Sequence, residues 1–115
     1  MDKFELEVIS ALRELEIPAH IKGYQYIKTA MGILRKDPTV IYAITKELYP
    51  GVAEIHGTTG SRVERGIRHA LGSANSDFAT QKKVLGTSRD LTNSEFLATL
   101  AEVINVKLAG ARTEA

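Results

Sequence analysis

Arg62, Arg65, Arg68 and His69 stand at spacings that gather three guanidinium groups and an imidazole on one side of a helix. Val63, Ile67, Ala70, Leu71 and Ala74 fall on the opposite side, so the segment predicts an amphipathic helix with a donor-rich face suited to a polyanion. A solvated surface helix can also carry arginines, and the residues upstream distinguish the two readings. Ala53, Gly57 and Val63 are spaced so that a small residue lets two helices cross, a glycine takes the left-handed backbone that ends the first helix, and a valine packs back onto it. Residues 51–75 therefore read as a DNA-binding helix-turn-helix. Ser61 and Glu64 stand in the S-x-x-E relation of a capping box, which predicts a start of the second helix at Ser61, with Thr58 and Thr59 ordering the turn. The hydroxyls and backbone amides of Thr58, Thr59 and Ser61 either close that turn or receive a DNA phosphate at a helix start.

The elements that must hold this motif are helical throughout, and no strand pattern is present. Phe4, Val8, Leu12 and Leu15 form the apolar stripe of a helix over about 2–15, stopped by Pro18. A second helix follows the loop 18–23 and buries Ile27, Met31 and Leu34. His20 and Lys22 precede it, as a second phosphate clamp or as part of a turn set by Gly23 with Tyr24 anchoring the core. A third helix is predicted from Asp37-Pro38 to just before Tyr49-Pro50-Gly51. After the helix-turn-helix, Ser76-Asp77 caps a short helix ended by Gly86, and a Thr92-to-Glu95 box opens the last helix, with fraying from Gly110. The fold class is all-α, a compact six-helix domain.

Composition bounds the rest. A chain of 115 residues, 43% of them hydrophobic, has room for one domain and a modest core. Net charge is only +1, yet Asp2, Glu5, Glu7, Glu14 and Glu16 crowd the N-terminus whereas Lys22, Lys28, Arg35, Lys36, Lys82, Lys83 and Arg89 join the arginines, so a basic side and an acidic side are expected. Without cysteine there is no disulfide or thiolate metal site, and His20, His56 and His69 stand at no metal-ligand spacing. No glycine-rich phosphate loop or nucleophile elbow is present, so neither catalysis, nor a cofactor, nor a metal is expected. No apolar run approaches membrane-spanning length and the N-terminus is acidic where a signal peptide would be basic, which predicts a cytoplasmic, nucleoid-associated protein without a membrane partner.

Four blocks in order carry a resemblance: IPAHIKGYQYI at 17–27, ITKELYP at 44–50, TTGSRVERGIRHA at 58–70 and TNSEFLA at 92–98. Over most of its length the chain resembles the DNA-binding effector domain of the stage 0 sporulation protein A family of response regulators. The resemblance implies transcription regulation of sporulation-type genes at TGTCGAA-like boxes, with a recognition helix in the major groove and base contacts from Arg62, Glu64 and Arg65. That assignment agrees with chemistry, since an arginine fork pairs with guanine O6 and N7 and a carboxylate accepts from cytosine N4. Arg68 and His69, farther along the helix, suit phosphates, as do Lys22 and His20.

Two departures shape the expectations. The family's regulators carry a receiver domain, phosphorylated on aspartate, that drives dimerisation, and this sequence contains none. The chain is therefore expected to be a monomer in solution and to dimerise on tandem boxes. Residues 72–89 are shorter than and divergent from the family segment that contacts the RNA polymerase sigma factor. The alternative function is a free-standing effector-like protein that competes with or binds another regulator without activating transcription.

Overall fold

The computed structural model describes residues 1–114 and contains six α-helices: α1 (Lys3–Glu14), α2 (Lys22–Lys36), α3 (Tyr49–His56), α4 (Gly60–Gly72), α5 (Phe78–Leu85) and α6 (Asn93–Glu114). No strand occurs among the described residues. The backbone of α6 stays helical past Gly110, where fraying was expected, and Ala115 lies outside the described residues.

Helix α1 forms as its periodicity demands, with Phe4, Val8, Leu12 and Leu15 all buried and the Asp2 carboxylate accepting from the Glu5 amide at 2.9 Å. It ends before Pro18 acts. Glu16 adopts a left-handed backbone, φ 56°, and the Ile17 amide returns to the Leu12 carbonyl, which lets Ile17 enter the core. Helix α2 is the central member, with Ile27, Ala30 and Met31 fully buried in the same core cluster as Leu12, Leu48, Val52, Ile67 and Leu97. Burial of each large aliphatic side chain contributes about 1.5–3 kcal/mol, so this shared core outweighs any single surface pair.

Residues 38–48 depart from the expected α-helix. Asp37 caps as predicted, accepting from the Thr39 amide at 3.1 Å, but the chain then winds as a 3-10 helix over Pro38–Ala43 and a π-helical turn over Ile44–Leu48. That turn runs directly into α3, because the Tyr49 amide bonds the Ile44 carbonyl and Pro50 occupies the first turn, where a missing N–H costs nothing. Tyr49-Pro50-Gly51 is thus inside a continuous helical segment instead of a break.

The later caps match expectation. The Asp77 carboxylate accepts from the Thr80 amide at 2.8 Å, and α5 ends at Gly86. Thr92 and Glu95 form a reciprocal box, Glu95 amide to Thr92 hydroxyl at 3.2 Å and Thr92 amide to Glu95 carboxylate at 3.0 Å. Arg89 also binds Glu95 at 2.8 Å, and this guanidinium, with the Thr92 amide, holds the Glu95 carboxyl down to about 2 from 4.5. A depressed folded-state value contributes stability that is complete above pH 4.5 and lost as pH falls toward about 2. Glu95→Gln is therefore expected to lower the melting temperature at neutral pH, and the gap between variant and parent should close across that interval. A gap independent of pH would show that the carboxylate does not stabilise this helix start.

Candidate nucleic-acid interface

Helices α3 and α4 form the expected helix-turn-helix. Gly57 ends α3 at φ 63° and ψ 40°, and its amide bonds the Ala53 carbonyl. Ala53 and Val63 are both buried where the two helices cross. The start of α4 lies earlier than its S-x-x-E pattern predicted. Thr59, with extended backbone, is the N-cap: its hydroxyl accepts from the Arg62 amide at 3.2 Å and its carbonyl from the Val63 amide at 3.0 Å. Ser61 and Glu64 consequently lie inside the helix and form no capping box. The Glu64 carboxylate is released from that role and meets Arg68 at 3.2 Å, one turn on.

The two faces of α4 separate as the periodicity predicts. Val63, Ile67 and Ala70 are buried, whereas Ser61, Arg62, Arg65, Arg68 and His69 are exposed and Glu64 is half-buried. Arg62 and Arg65 are three residues apart and so are surface neighbours about 5–6 Å apart at Cβ, close enough to address adjacent base pairs. Among the described residues neither guanidinium has an ion-pair partner. Arg68 does, but an exposed pair at this spacing is worth only about 0.3–0.5 kcal/mol, so Glu64 holds Arg68 weakly enough for exchange with a phosphate.

A cleft of about 460 Å³ opens beside the first turns of α4 and gathers Thr59, Ser61, Glu64, Arg65 and Arg68 along one wall. Thr45 and Tyr49 form the other wall. Arg62, Thr58 and His69 do not line it, and neither do His20 and Lys22, which are exposed at the approach to α2.

The start of α2, where Lys22 stands, is nonetheless tied to α4, for a reason the sequence did not reveal. Lys22 opens α2, so Gly23 is a helical residue and not a turn glycine as expected. A Cβ on Gly23 would overlap the Gly66 carbonyl oxygen and lie 2.7 Å from the Ala70 Cβ, so α2 and α4 cross with their backbones in contact. The start of α2 is thereby held against the middle of α4. Tyr26 packs beside Gly66 and places its ring edge-on to His56 at 5.1 Å, and the His56 Nε2 meets the Thr29 hydroxyl at 2.7 Å, which ties the end of α3 to α2.

The expected basic side is less extensive than the composition suggests, because Arg35 pairs with Asp2, and Arg89 with Glu95. Among the described residues Arg62 and Arg65 on α4 have no acidic partner, as is true of Arg13 on α1, and the helix-turn-helix presents the first two. No group of three or more metal-binding side chains occurs among the described residues, and no helix there is long and apolar enough to cross a membrane. Residues 8–104 match the family model described as sporulation initiation factor Spo0A C terminal, a family of DNA-binding effector domains and not of catalysts. Since the match spans nearly the whole domain and includes both helices of the motif, the chain belongs to the Spo0A C-terminal family.

Proposed function

We propose that the chain binds double-stranded DNA in a sequence-specific manner through α4 and regulates transcription at TGTCGAA-like boxes. The observation that carries this reading is the pair of exposed, unpartnered guanidiniums of Arg62 and Arg65 on the outer face of a helix-turn-helix whose inner face is fully buried. In this reading α4 enters the major groove and Arg62 and Arg65 read guanines, while Glu64 accepts from a cytosine amino group. Thr58, Thr59 and Ser61 hold a phosphate at the start of α4, and Arg68 and His69 hold others where the helix leaves the groove. Lys22 and His20 contact the flanking backbone from the start of α2.

The phosphate assignments have a signature distinct from base reading. Lys22→Ala and Arg68→Ala are each expected to weaken binding to a box duplex and to a scrambled duplex about equally, and to make the salt dependence shallower by about one unit of slope. Anisotropy titrations over a salt series measure this, and an unchanged slope would remove the residue from the interface.

Assembly follows from the same surfaces. No helix carries a long heptad seam, so the chain is expected to sediment as a monomer, and a single short box offers one recognition helix and modest affinity. Tandem boxes on one face of the duplex should bind cooperatively, and inserting about five base pairs, roughly half a helical turn, should abolish that coupling. Identical curves for the two spacings, or a stable dimer without DNA, would overturn this assignment. If the divergent 72–89 segment retains contact with the RNA polymerase sigma factor, it would fall on α5, where Phe78 is exposed. A reporter driven by a box-containing promoter tests it: activation that Phe78→Ala reduces without changing DNA affinity would support the contact, and no activation by the parent chain would favour a competitor that binds without activating.

A further inference from the structure

The core encloses one polar side chain among the described residues, Asn93, which follows the Thr92 cap at the start of α6. Its amide nitrogen donates to the Tyr49 hydroxyl at 3.2 Å and to the Glu64 main-chain carbonyl at 3.0 Å. Both amide protons are thus used. A carbonyl in mid-helix already accepts from the amide four residues on, so Asn93 occupies its second lone pair and bonds directly to the turn of α4 that carries Arg62 and Arg65. Tyr49 opens α3, and its hydroxyl is itself withdrawn from water, with burial pushing its pKa up. One side chain therefore joins the first residues of α3 and α6 to the middle of the base-reading turn.

Stability alone gives little reason for an amide here. A buried polar group gains nothing over an apolar side chain of similar volume unless what it fixes matters, because its desolvation cancels most of its hydrogen bonding. The Asn93 bridge fixes the rotation and height of α4. Arginine tips lie at or beyond a helix radius of about 5–6 Å, so a rotation of about 20° would displace a guanidinium by about 2 Å. Bidentate base contacts tolerate only about 0.5 Å and 10–20°, whereas a flexible lysine on a phosphate follows such a shift.

We infer that Asn93 is a positioning residue for sequence recognition, setting the pose of α4 through the Glu64 carbonyl and the Tyr49 hydroxyl without touching DNA. The inference rests on the reading of α4 as the recognition helix. Two variants of the full chain test it. Asn93→Asp keeps the size and suits a helix start but loses both donors, and Asn93→Leu keeps the branched four-atom shape, with bulkier methyl groups, and fills the site with apolar atoms. At a temperature where circular dichroism shows each variant folded, affinity for a box duplex should fall about tenfold, the scale of one misaligned bidentate contact, while affinity for a scrambled duplex stays within about twofold. If Asn93→Asp does not fold, Asn93→Leu carries the comparison. Tyr49→Phe, which leaves the Glu64 bond in place, should give a smaller loss of preference in the same direction. A folded variant with the parent's box-to-scrambled ratio would overturn the inference, as would equal losses on both duplexes. A parent chain with no box preference would overturn the DNA reading itself, and the inference with it.

Discussion

Gly23→Ala should destabilise the protein by about 1–3 kcal/mol, the overpacking range, although alanine is the better helix former. Two terms oppose each other at this position. Replacing a helical glycine gains about 0.5–1 kcal/mol from the unfolded chain's lost freedom. Against that, the new methyl would overlap the Gly66 carbonyl oxygen and approach its carbon to 2.8 Å, both backbone atoms that no rotamer change can move. Helices α2 and α4 must separate, and the overlap wins. Gly32 provides the internal control, because it lies in the same helix with nothing within 4 Å of the corresponding Cβ. Gly32→Ala should therefore stabilise by about 0.5–1 kcal/mol. Urea melts of the two variants give opposite shifts if the crossing is as tight as described, and shifts of the same sign would contradict it. Gly23→Ala should also cost box affinity in the fraction that remains folded, since the crossing seats α4, the helix proposed to read DNA.

Arg65→Ala and Arg62→Ala are each expected to weaken binding to a TGTCGAA-like box by about 1–3 kcal/mol and to flatten the preference over scrambled DNA. Each change removes a forked donor and not merely a charge. Lysine at either position should restore part of the general affinity and little of the preference, because an ammonium cannot reproduce the two parallel bonds of a guanidinium. Stability should hardly change, as both side chains are exposed and neither has an ion-pair partner among the described residues. Competition titrations with box variants altered at one guanine at a time would show which base each arginine reads. An alanine variant that binds the box as tightly as the parent would remove that residue from base recognition.

The residues differ in how openly they declared these roles. Local chemistry was legible: the Asp77 and Thr92–Glu95 caps, the left-handed Gly57 and the stripe of α1 all depend on neighbours within a turn, and the structure contains each of them. The start of α4 was misplaced because two hydroxyl residues compete there. The S-x-x-E spacing favours Ser61, while Thr59 caps with Gly60, a poor helix former, as the first helical residue. Residues 38–48 show a different limit, since apolar spacing over so short a stretch does not separate 3-10, α and π winding. Gly23 and Asn93 were illegible for a tertiary reason. A glycine near a helix start looks like a turn, and an asparagine inside a cap looks like part of the cap. Gly66, Glu64 and Tyr49, which explain them, are remote in sequence.

The central claim is that α4 reads DNA sequence, and the most direct test is a fluorescence anisotropy titration of the chain against a duplex holding one TGTCGAA-like box and against a scrambled duplex, each at two salt concentrations. Raising salt should weaken both complexes, because phosphate contacts release counterions, while the box retains its advantage, because base contacts do not. Equal affinity for the two duplexes, or binding that ignores salt, would contradict the account and leave the arginine face of α4 to a protein partner.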